Sequence, residues 1–152
     1  MLCQAAISTV ILSMTLLFPL PNSKSNGVLD ANIKQLLPAM ARVESRGDPK
    51  AIGDRGDAIG LYQIHRSYWT DAVNYDKTLG GTYKDCFDPD YARRVVCAYL
   101  HRYGSNNSDI EQLARIHNGG CNILKKQNSK LKSEIKAWNN TTKYWNKIKK
   151  EL

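Results

Sequence analysis

Residues 40–69 read Met40-Ala-Arg-Val-Glu-Ser-Arg-Gly-Asp-Pro-Lys-Ala-Ile-Gly-Asp-Arg-Gly-Asp-Ala-Ile-Gly-Leu-Tyr-Gln-Ile-His-Arg-Ser-Tyr-Trp69. The approach to this stretch carries Ile33, Leu36, Leu37, Met40 and Val43, the spacing of one helical face. After Glu44 the pattern stops. Ser45 to Gly60 holds four glycines, one proline and three aspartates, which is turn or short-hairpin chemistry and not helix. Glu44 therefore closes a helix, next to the core and facing a polar bend. Loss of water favours the neutral form of a carboxyl group. A proton donor for glycosidic cleavage needs a carboxyl that is withdrawn from water yet open to substrate.

Working outward, Asp30 or Asn32 is a cap candidate for this first helix, and Pro38 inside it predicts a kink or a late start. Leu61 to Val73 reads as a second helix with Leu61, Ile64, Tyr68 and Ala72 on one face. Asn74 to Phe87, with Gly80-Gly81, reads as a surface loop. Asp88-Pro89 is an N-cap followed by proline at the first helical position. That helix runs to about Tyr103, turns Ala92, Val95, Val96, Tyr99, Leu100 and Tyr103 inward, and stops at Gly104. Ser108-Asp109-Ile110-Glu111 reads as a capping box for a short helix ending near Asn118-Gly119-Gly120. Residues 121–140, rich in Lys and Asn, predict a partly helical stretch around Lys130 to Trp138. A final amphipathic helix then starts after Thr141 or Thr142 and uses Tyr144, Trp145 and Ile148.

The 152 residues fit one domain with a modest core. Leu2 to Leu20 is apolar, ends at Pro19 and Pro21, and is followed by Ser23 and Ser25 at the −3 and −1 positions of a cleavage before Asn26. This predicts a signal peptide over 1–25, a secreted domain over 26–152 and no stable membrane anchor. The formal net charge of +8 becomes about +7 without Lys24 and suits a polyanionic target. Nucleic acid is not expected, because no basic stripe with interleaved aromatics precedes the last 30 residues. Without Cys3 three cysteines remain, Cys86, Cys97 and Cys121, an odd count that predicts one bridge and one free thiol or an intermolecular bond. The bridge is expected as Cys86–Cys97 or Cys97–Cys121. No metal-ligand spacing such as C-x-x-C occurs, and no cofactor is expected.

Glu44-Ser45, Ala51-Ile52-Gly53-Asp54 and Ala58-Ile59-Gly60-Leu61-Tyr62-Gln63-Ile64 together resemble the core of the lysozyme superfamily. The nearest types are invertebrate-type lysozymes and bacterial transglycosylase-like domains. Tyr99 to Tyr103, Ala114-Arg115-Ile116-His117-Asn118-Gly119-Gly120 and Thr142-Lys143-Tyr144-Trp145-Asn146-Lys147-Ile148 match in the same order, so the resemblance covers about residues 33–150. It implies a mainly α, α+β lysozyme-like fold: a helical domain with a short β-hairpin or loop flanking an active-site cleft. Relative to the family, 121–140 is an insertion, and the chain is poor in cysteine.

The resemblance implies a monomeric glycosidase acting on the β-1,4 bond between N-acetylmuramic acid and N-acetylglucosamine in peptidoglycan or a related aminosugar polymer, in an antibacterial or digestive role. The alternatives are a non-catalytic cationic peptidoglycan- or chitin-binding protein and a lytic transglycosylase. Glu44 is the expected acid. Aligning Ile52-Gly53 with the invertebrate-type pattern puts Asp57 on the family's catalytic aspartate; Asp54 is the runner-up. If neither serves, Glu44 works through the substrate's own N-acetyl group. Ser45, Tyr62, Gln63, His65, Tyr99, His117, Asn118 and Gly119 are the expected substrate-binding residues, with structural readings open for several: a polar helix-end residue for Ser45, a bond to the loop for Gln63, core packing for Tyr99, a helix stop for His117 to Gly119.

Overall fold

The computed structural model describes residues 27–152, so the signal-peptide reading of 1–25 lies outside the described residues. Among them the chain forms five α-helices and one small antiparallel sheet, a mainly α, lysozyme-like architecture. The helices are α1 (Gly27–Ser45), α2 (Arg66–Tyr75), α3 (Pro89–Tyr103), α4 (Ile110–Gly119) and α5 (Lys132–Ile148). The strands are β1 (Ile52–Gly53), β2 (Ala58–Ile59) and β3 (Ile64–His65), in sheet order β1-β2-β3. Ile52 pairs with Ile59, Gly53 with Ala58, and Ile59 with Ile64. No helix among the described residues is long and apolar enough to cross a membrane.

Helix α1 is the spine. Leu29, Ile33, Leu36, Leu37 and Met40 are buried along it and face α3, α4 and α5. Pro38 does not delay the start. It stands on the exposed side, so the carbonyl that loses its N–H partner is left to solvent. Arg46 (φ 57°) and Gly47 (φ 85°) turn the chain out of the helix in the left-handed conformation. Their N–H groups donate to the carbonyls of Arg42 and Ala41.

Four expectations about these elements are corrected by the structure. The stretch from Leu61 is not helical until Arg66: Gly60 (φ 75°) and Gln63 (φ 48°) are left-handed and break it into a turn and a strand. The 74–87 segment is no loose surface loop. It carries two 3-10 turns: Leu79 is buried against α2 and α3, and Tyr83 and Cys86 are buried beside the sheet, with the Tyr83 hydroxyl donating to the Asp57 and Ile64 carbonyls. The capping box of α4 begins at Asp109, not Ser108: Asp109 accepts from the Gln112 N–H, Gln112 accepts from the Asp109 N–H, and Ser108 is buried, accepting from the Ser105 N–H. The last helix also starts earlier than expected and runs unbroken from Lys132.

Among the described residues no disulfide forms; Cys86, Cys97 and Cys121 are free. The geometry of α3 accounts for this. Eight residues of helix separate Pro89 from Cys97, about 12 Å of rise, beyond the reach of a bridge from Cys86 below the helix start. Cys121 lies beside Tyr99 and influences its phenol, and residues two apart on a helix point about 200° from one another, so Cys97 is turned the other way. Burial pushes the Cys86 thiol up to about 12, which keeps it a protonated core group.

Gly60 joins the sheet to the segment below. An added Cβ would lie 2.1 Å from the Cys86 carbonyl oxygen, and the residue is left-handed. Gly60→Ala should therefore cost about 3 kcal/mol or more in chemical denaturation. Gly56→Ala, also left-handed but with nothing within 4 Å, should cost about 1 kcal/mol. Equal losses for both would remove the packing argument.

Candidate active site

The end of α1, the sheet, α2 and the end of α4 enclose a cleft of about 360 Å³ lined by Glu44, Asp54, Ala58, Gln63, His65, Tyr68, His117 and Asn118. Glu44 is brought here because it occupies the last turn of α1, one turn after the buried Met40. Its side chain is 18 % exposed: withdrawn from bulk water but open to the cleft. Ser45 fixes the joint behind it. Its hydroxyl bonds to the carbonyls of Ala41 and Leu61, at 3.1 and 2.8 Å, tying the helix end to the turn between β2 and β3.

His117 faces Glu44 across the cleft floor. Its Nε2 lies 3.4 Å from Glu44 Oε1, and its Nδ1 lies 3.1 Å from the Tyr68 hydroxyl. The imidazole is 5 % exposed. Burial raises the Tyr68 phenol well above its ordinary range, with Tyr99 second among the causes, so the hydroxyl stays protonated. A protonated phenol can donate to Nδ1 or accept from it, and the Nε2 side of the ring faces Glu44. Tyr68 is itself held by the Tyr99 ring, stacked at 3.6 Å and 15°. Behind His117 stands Tyr144 of α5, ring centroids 6.3 Å apart.

On the opposite wall the backbone is strained. Asp54 (φ 46°), Arg55 (φ 58°) and Gln63 (φ 48°) are non-glycine residues in the left-handed region, a conformation that costs about 1–3 kcal/mol and collects at functional sites. Asp54 Oδ2 is 3.0 Å from His65 Nε2; both side chains are well exposed, so the pair is weakly held and either partner is free to turn to a ligand. Gln63 donates to the Gly60 and Ala51 carbonyls, at 3.1 and 3.4 Å. Its Oε1 would sit 2.0 Å from a Cβ on residue 53, so Gly53 is the residue that lets this side chain lie flat across β1.

Of the residues singled out in the sequence, Glu44, Gln63, His65, His117 and Asn118 line the cleft together. Asp57 does not. It is exposed at the β1–β2 turn, where its N–H donates to the Asp54 carbonyl and its own carbonyl accepts from Tyr83. The carboxylate that lines the cleft from this turn is Asp54. Tyr62 and Tyr99 lie in the core, 4 % and 5 % exposed, because their rings are turned inward from the sheet and from α3. Gly119 is a packing position: a Cβ there would meet Ile123 and Thr141 side chains at 2.6 Å. Tyr68 and Tyr144 are not among the site residues expected from the sequence, where Tyr68 reads as an apolar-face residue and Tyr144 as part of a family segment and an amphipathic helix. The signal that marks Tyr68 is its place one turn after His65, at the start of α2.

A model of the protein family described as Destabilase matches residues 34–150. Lysozyme 1 of Crassostrea virginica is 35% identical over 111 residues, covering 66% of this chain and 56% of that protein. The chain thus spans little more than half the length of that curated relative. No solved structure matches significantly.

Proposed function

Because the chain belongs to the destabilase family of invertebrate-type lysozymes, we propose that it is a glycoside hydrolase that cleaves the β-1,4 bond after N-acetylmuramic acid in peptidoglycan. The observation that supports this most is Glu44: a carboxyl at a helix end, mostly withdrawn from water, lining a cleft and facing a histidine. In this reading Glu44 protonates the glycosidic oxygen as the bond breaks. A second carboxylate then stabilises or captures the sugar cation. The resemblance points to Asp57 for that task and the cleft lining points to Asp54; we take Asp54. Gln63, His65 and Asn118 present amide and imidazole groups to the sugar, and Ser45 holds the helix end in register with the sheet.

The basic charge of the chain favours adsorption to an anionic bacterial wall. Secretion, through a leader over 1–25, belongs to the same proposal. The test is the release of soluble fragments from purified walls by the intact protein. Protein that sediments with the walls but releases nothing would replace this reading with the binding-only one.

A further inference from the structure

We propose that Tyr144 is a positioning residue for Glu44, its hydroxyl set to donate a hydrogen bond to the Glu44 carboxylate once that group has released its proton. The inference rests on the glycosidase reading above for its catalytic meaning, but the observation behind it does not. The Tyr144 hydroxyl is buried and has no hydrogen-bond partner among the described residues, in a side chain that is 7 % exposed. A buried hydroxyl without a partner is costly. Replacing it by hydrogen would relieve that cost, so its presence needs an explanation outside the resting fold.

The surroundings supply one. Tyr144 lies against His117, whose Nε2 contacts Glu44. Glu44 acts on the Tyr144 phenol: burial first, then the Glu44 charge and a side-chain hydrogen-bond interaction with that carboxylate, push it well above its ordinary range. Hydroxyl and carboxylate are therefore neighbours without a bond formed in strict geometry. Such a phenol gives up no proton, and it remains a donor throughout.

The helix that carries Tyr144 is held firmly. Arg115 of α4 is 5 % exposed, donates to the Thr141 and Thr142 hydroxyls at 2.9 and 3.0 Å, and lies over the Trp138 ring at 4.0 Å. Thr141 and Tyr144 are one turn apart, so this clamp sets the height of the phenol against Glu44. The proton balance is simple. Glu44 gives its proton to the leaving oxygen, the carboxylate gains a hydrogen bond from Tyr144, and in the second half it takes a proton from the attacking water. A donor aimed at charge that develops during the reaction accelerates it without tightening ground-state binding.

The groups that face Glu44 are His117 from α4, Tyr68 from α2, Tyr144 from α5, and Asp54 and His65 across the cleft. Tyr144→Phe leaves all the others in place. On peptidoglycan its kcat should fall about ten-fold with KM unchanged, and the basic limb of its pH–rate profile should move to higher pH. Its thermal midpoint should stay level or rise, because the orphaned hydroxyl is gone. Wild-type kcat and pH profile would overturn the proposal, as would a loss of activity matched by a loss of stability. A measurement without substrate separates this from the glycosidase reading: the carbon-13 signal of the Glu44 carboxyl should titrate at higher pH in Tyr144→Phe than in the parent chain. An unchanged midpoint overturns the role of Tyr144. A parent chain that cleaves nothing counts against the glycosidase reading alone.

Discussion

Glu44→Gln should remove cleavage of bacterial walls, by about a thousand-fold in rate, while the protein folds as before. Glutamine fills the same volume and keeps a polar contact with His117, which lies 3.4 Å away, but it has no proton to give. A positioned acid contributes about 10²–10⁴-fold, and here no second acid stands in the same place: Asp54 belongs to the opposite wall and is paired with His65. Turbidity clearance measures the rate, and a thermal melt shows that the variant is intact. Wild-type clearance by Glu44→Gln would place the chemistry elsewhere.

The second large effect separates two neighbours. Asp54→Asn should slow cleavage about a hundred-fold, whereas Asp57→Asn should stay within a few-fold of the parent. The argument is position. Both residues sit in one tight turn, but the left-handed backbone at Asp54 goes with a carboxylate that lines the cleft, and Asp57 is exposed outside it. A carboxylate that stabilises a sugar cation must lie beside the ring. His65→Ala is the control. If the loss in Asp54→Asn came only from breaking the 3.0 Å pair with His65, His65→Ala would match it; we expect His65→Ala to lose far less. The reverse order, with Asp57→Asn the slow variant, would mean that the turn rearranges around the substrate.

The sequence carried the spine and the place of Glu44 at its end, because both rest on local rules. The apolar spacing from Ile33 to Val43 is a helical period, and the glycines after Glu44 end it. Asp88-Pro89 likewise named the start of α3, whose Asp88 side chain accepts from the Tyr91 N–H. What local rules do not carry is which side of a packed element a side chain serves. Tyr62 reads as a cleft residue and Tyr99 as cleft or core, and the burial of both is decided by elements distant in sequence. Tyr144 matched a family segment, yet its lack of a partner exists only once α4 and α5 are docked. The α4 cap moved by one residue because Ser108 and Asp109 are both competent caps; the serine is claimed instead by the turn at Ser105 and by Asn32, whose amide donates to the Ser108 carbonyl. Our preference for Asp54 over Asp57 rests on which of the two lines the cleft, and that depends on the backbone of the turn. A run of left-handed residues at 54, 55 and 56 has no signature beyond the Asp and Gly content of the turn.

The cleft and its acid stand or fall on the products. Purified peptidoglycan digested by the intact chain, with the soluble fragments read by mass spectrometry, should yield muropeptides that end in reducing N-acetylmuramic acid and take up one oxygen from labelled water. Fragments ending in a 1,6-anhydro sugar, or walls left whole by a fully folded protein, would contradict hydrolysis by Glu44.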